Sequence, residues 1–79
     1  MDTIQQVISA LKELEQDGST PKNVKMKIMS TLKLLSANSE TSIKVSKALH
    51  ELEDIAEDMN VESYTRMQIF NIVSLLEVV

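Results

Sequence analysis

A chain of 79 residues with no cysteine has neither disulfide staples nor thiolate metal sites, so its core must come from apolar burial, in one domain near the lower size limit. Hydrophobic residues make up 43%, but the aromatics are one Tyr and one Phe, and one Gly with one Pro leaves too few turn residues for a sandwich or barrel. The net charge of −4 speaks against nucleic acid as a general partner, and no apolar run approaches the roughly 18 residues of a membrane span.

Met1 to Gln6 hold no basic run and no apolar stretch, so no signal peptide is expected, and a soluble, cytoplasmic protein fits the missing cysteine. The first helix is predicted from Asp2 or Thr3 to about Asp17, with Ile4, Val7, Ile8, Leu11 and Leu14 on one stripe. Gly18 is expected to stop it as a left-handed C-cap. Thr20 should cap a second helix that has Pro21 in its first position. Its inward stripe is Val24, Ile28, Leu32 and Leu35, with Thr31 beside them, and it should end near Ala37 and Asn38.

Ser39 is the expected cap of a third helix carrying Ile43, Ala48, Leu49, Leu52, Ile55 and Ala56. Asn60 or Ser63 starts a fourth, in which Tyr64, Met67, Ile69, Phe70, Ile72, Val73, Leu75 and Leu76 exceed what one stripe can hold. It is expected to be the most buried helix; the other reading is a surplus face packed on a second chain.

The two halves echo each other. Thr3, Val7, Ala10, Leu11, Glu13, Leu14 and Glu15 return thirty-eight positions on as Thr41, Val45, Ala48, Leu49, Glu51, Leu52 and Glu53. After an insertion of three, Met26, Ile28, Leu34 and Leu35 return at a spacing of forty-one as Met67, Ile69, Leu75 and Leu76. Residues 3–35 and 41–76 thus read as tandem helix-turn-helix hairpins, each too short to bury its own stripe. The expected fold is all-α, an antiparallel up-and-down four-helix bundle spanning residues 1–79 as a single domain.

The inventory of chemistry is short. With no Cys and His50 as the only His, no Cys–His pair or multi-histidine metal site can form in one chain; Lys47 stands where a Glu-x-x-His pair would need its Glu. His50 replaces Lys12 in the repeat and is read as an exposed residue. Glu53, Asp54, Glu57 and Asp58 lack the kinked loop that a calcium site uses, and in the expected bundle Lys22, Lys25 and Lys27 stand at their end and offset part of their charge. No enzymatic activity, cofactor or small-molecule substrate is expected.

That leaves surfaces. Met26, Met29, Met59 and Met67 are expected to fill the core rather than line a groove. Arg66 and Asn71, polar residues in an apolar run, should face water or cap a carbonyl, the sharper reading being that they orient a partner. The first functional expectation is a non-enzymatic module that binds a protein, itself or another, through the apolar surplus of the fourth helix or through the acidic end, with Tyr64 and Phe70 as anchors and Arg66 and Asn71 fixing orientation. The alternative is a nucleic-acid- or ribosome-associated accessory protein using Lys22, Lys25, Lys27 and Lys33.

Two stretches resemble a small archaeal family known as uncharacterised protein family 0147: Thr20-Pro21-Lys22-Asn23-Val24-Lys25, and the closing helix from Thr65-Arg66-Met67-Gln68-Ile69-Phe70 to Glu77. Phe70 stands where that pattern would carry a Trp, and Glu62 where a second Pro would mirror Pro21. The resemblance implies a four-helix bundle in an archaeal cytoplasm. It supplies no agreed function and no catalytic residues.

Overall fold

All four apolar stripes wind into helices. The computed structural model describes residues 3–79 and places α1 at Thr3–Gln16, α2 at Lys22–Ser36, α3 at Thr41–Glu57 and α4 at Ser63–Glu77, with no strand among those residues. Asp2, one of the two residues expected to open α1, lies outside the described residues. Each helix has two close neighbours, α1 beside α2 and α4, and α3 beside α2 and α4, while the backbones of the diagonal pairs stay more than 8 Å apart at every Cα. The ends that meet are those of neighbours running in opposite directions. The Asn23 amide at the start of α2 donates to Asp58 just beyond α3, at 3.1 Å. Thr41 and Ser42 at the start of α3 border the same hollow as Leu76 and Glu77 at the end of α4. The radius of gyration is 11.5 Å, against about 11.6 Å expected for a closely packed chain of this length.

The core shows which register relates the two hairpins. Val7, Leu11 and Leu14 of α1 correspond to Ala48, Leu52 and Ile55 of α3 at a spacing of forty-one. Val24, Ile28, Thr31 and Leu35 of α2 correspond to Thr65, Ile69, Ile72 and Leu76 of α4 at the same spacing, and buried Thr20 to buried Val61. Helix ends agree, Gln16 with Glu57 and Ser36 with Glu77, and half-exposed Ile43 lies in the first turn of α3. The thirty-eight-residue spacing of identities between α1 and α3 therefore compares residues nearly one turn apart. A shift of three residues is close to one helical turn, and it lays an apolar stripe back over itself.

The turn after α1 differs from its expected chemistry. Gly18 has no positive φ, so it is not a left-handed cap. The chain is turned by Asp17, whose N–H donates to the Leu14 carbonyl at 3.2 Å while its carboxylate accepts from the Ser19 N–H at 2.9 Å and the Ser19 hydroxyl at 2.8 Å. These two donors, the backbone amide first, hold the Asp17 carboxyl below its usual range; burial opposes them and Lys25 adds to them. Asp58 repeats the device after α3, accepting from the Asn60 N–H at 2.9 Å. Thr20 does not cap α2. Its buried hydroxyl reaches back to the Leu14 carbonyl at 2.9 Å and so closes the end of α1, while Pro21 takes the N-cap position of α2. Glu40, not Ser39, occupies that place before α3, and neither residue forms a side-chain cap.

Since Gly18 needs no special φ and a Cβ there would meet nothing within 4 Å, Gly18→Ala is expected to stabilise the fold. The gain is about 0.4–1 kcal/mol, through lost freedom of the unfolded chain. A rise in the urea midpoint at unchanged slope checks it; a fall would mean that the turn needs glycine after all.

Candidate interaction surface

Helix α4 has more apolar residues than one stripe can bury, and the structure divides them. Thr65, Ile69, Ile72 and Leu76 go inward, with Val73 and Leu75 packed along the flank. Tyr64, Met67 and Phe70 stay outside, 60%, 61% and 54% exposed, alongside exposed Asn71 and Ser74. The expectation that α4 is the most buried helix is thus corrected. Tyr64, Met67, Asn71 and Ser74 follow one another at three- and four-residue steps, which draws one line along the outer side of the helix.

Of the four residues expected to act together, Tyr64 and Asn71 lie on this line, exposed Phe70 lies beside it about 60° around from Met67, and Arg66 is turned aside. The half-buried Arg66 guanidinium donates through Nε to the Ala56 carbonyl at 2.9 Å and through Nη2 to the Asp58 carbonyl at 3.0 Å. Carbonyls at a helix C-terminus have no partner within the helix, and the terminus carries partial negative charge, so a cation with two donors suits both needs. Arg66 is a cap for α3. Met67 is the member of the surface that the sequence reading placed in the core.

The other methionines need the same correction. Met26 is 64% exposed, Met29 46% and Met59 94%. None is a core filler, because Met26 lies about 200° around the helix from both Val24 and Ile28, which already point inward.

The lysines of α2 do not share one face. Lys22 and Lys33 are exposed beside Met26 and Met29. Lys25 lies near Asp17, below α1. Lys27 stands about 200° around the helix from Lys25, on the flank that Asn23 turns to α3. The partner that Asp58 takes across the α2–α3 junction is the Asn23 amide rather than a lysine.

Glu53, Asp54, Glu57 and Asp58 do not converge. Among the described residues no three His, Cys, Asp or Glu side chains come together as metal ligands would. His50 is exposed, at a shallow hollow bordered by Leu34, Ser46, Lys47 and Glu51. No helix of the described residues is long and apolar enough to cross a membrane.

This fold has relatives. The model of an uncharacterised protein family, UPF0147, matches residues 1–79. A UPF0147 protein of Sulfurisphaera tokodaii is 32% identical over 77 residues, covering 96% of this chain and 86% of the relative. One from Methanosarcina mazei is 29% identical over 79 residues, covering 99% and 85%. Among solved structures, the crystal structure of the unknown-function protein MMP1188 is similar with a TM-score of 0.92 at 32% identity, covering 99% of this chain and 90% of that one. The archaeal relatives carry no assigned activity in their names, and on these matches the chain belongs to the uncharacterised protein family UPF0147.

Proposed function

We propose that this protein is a non-enzymatic helical-bundle module that binds a protein chain through the outer side of α4, with Tyr64 and Phe70 as the anchors. The observation that carries the reading is the joint exposure of Tyr64, Met67 and Phe70. By their exposed fractions these side chains offer roughly 350 Å² of surface, the size of a largest apolar patch on a small monomer, and such patches are often functional. Aromatic anchors with an adaptable Met between them suit a contact centre. The non-enzymatic part of the reading rests on the spread of the carboxylates and on the exposed, solitary His50.

A photo-crosslinking side chain placed at Phe70 tests the reading, with the same side chain at Met29, its counterpart in α2, as the control. Adducts with a protein chain are expected at position 70 well above those at 29. Equal yields at both positions would overturn it.

A further inference from the structure

We infer that the chain seated on α4 is a second copy of this protein, in an antiparallel α4–α4 contact with Met67 at the two-fold axis. This rests on the reading of α4 as the contact face and names its occupant.

The charge pattern supports a copy. In the register of the buried residues, Lys22, Lys27 and Lys33 of α2 are replaced in α4 by Ser63, Gln68 and Ser74, and Asn23 and Met29 by Tyr64 and Phe70. Only Lys25 keeps a positive counterpart, Arg66, and that guanidinium is drawn away to the α3 carbonyls. On the same scaffold positions α4 has therefore lost charge and gained aromatics. A chain with net charge −4 repels its own copy on approach. The outer line of α4 is where two copies meet without opposed like charges, since Glu62 and Glu77 lie at its ends.

The spacing supports the direction. Tyr64 stands one turn before Met67, and Phe70 and Asn71 one turn after it. An antiparallel pair centred on Met67 sets Tyr64 of each copy at the level of Asn71 of the other and on the same side of the pair, so that the Tyr hydroxyl faces an amide, while Phe70 flanks Met67 on the opposite side. Parallel pairing would bring Glu62 to Glu62 and Glu77 to Glu77, and would align the helix dipoles unfavourably.

The area sets the strength. Fully covered, the three side chains supply at most roughly 700 Å² between two copies, and Ser63, Asn71, Ser74 and Val78 at the rim bring the ceiling to about 1,000 Å², the lower bound for a specific contact. The dimer is accordingly reversible, with a dissociation constant in the range of tens to hundreds of micromolar by order of magnitude.

The test uses the full chain. Light scattering and sedimentation should show a concentration-dependent dimer whose dissociation constant rises about tenfold or more for Met67→Glu or Phe70→Glu and stays unchanged for Met26→Glu. All three sites are exposed, and circular dichroism checks that the variants fold. Because the chain has no cysteine, Met67→Cys carries a unique thiol. Mild oxidation should link it to a second copy far faster than Met26→Cys. A wild-type chain that stays monomeric to about 1 mM, well above the expected dissociation constant, overturns the second copy as occupant. If the crosslinker at Phe70 then captures a different protein, the α4 face stands and only its occupant was wrong. If a dimer forms but is lost with Met26→Glu and kept with Met67→Glu, the reading of α4 itself fails.

Discussion

Leu52→Ala is expected to lower the unfolding free energy by about 2–5 kcal/mol, a transfer loss plus the cavity left when neighbours relax only in part. Leu52 is fully buried in the ring of helices, as is Leu11, its counterpart in the first hairpin. A domain of this length has roughly 4–12 kcal/mol of total stability, so the variant stands to lose between about a sixth and all of it. Leu11→Ala should cost a similar amount. The pair also tests whether the hairpins form one cooperative unit. Each should move one urea transition, followed by circular dichroism at 222 nm, with little change in slope. Two separated transitions in either variant would mean that one hairpin survives without the other. A loss below about 1 kcal/mol at Leu52 would mean that the site collapses around the missing atoms.

What could be read in the sequence follows from which signals depend on period alone. The helices were legible because Val24, Ile28, Thr31 and Leu35, like Val7, Leu11 and Leu14, keep a spacing that only a helix lines up. The outward position of the methionines was legible too, had phase been weighed above residue type. Met26 and Met67 sit opposite the stripes marked by Val24 and Ile28, and by Thr65 and Ile69. Register was harder. Identities such as Leu14 with Leu52 favour a spacing three short of the one that burial obeys, and only the loops, where Asp17 and Asp58 repeat one turn, break the degeneracy.

Caps were the least legible. Thr20 before Pro21 has the composition of an N-cap, yet its hydroxyl serves the preceding helix, because the Leu14 carbonyl at the end of α1, bonded otherwise only by the Asp17 N–H at 3.2 Å, has room for a second donor. The surface on α4 was half visible: Tyr64, Met67 and Asn71 share a face by period, with Phe70 on its flank. The phase of α4 sets Arg66 about 100° around from Met67, but what its guanidinium holds could not be read from α4, since the acceptors are carbonyls at the end of α3.

Arg66→Ala is therefore expected to destabilise the bundle and leave contact through α4 intact. Removing the guanidinium takes the donor at 2.9 Å from the Ala56 carbonyl and the donor at 3.0 Å from the Asp58 carbonyl, which keeps the Val61 N–H at 3.2 Å. Bonds to a charged group contribute about 1.5–3 kcal/mol each when buried, and with the side chain half exposed the pair together should cost about 2–3 kcal/mol. Arg66→Lys should recover only part of this, because one ammonium cannot reach both carbonyls with the fixed fork of a guanidinium. Salt discriminates the cause. The acceptors are neutral carbonyls, so the cost measured by urea unfolding should hold within a few tenths of a kcal/mol between low salt and about 1 M, where a surface ion pair would be screened. A cost that vanishes at high salt would show that Arg66 acts instead through the carboxylates of Glu57 and Asp58. An unchanged stability with a lost dimer would place it on the contact face.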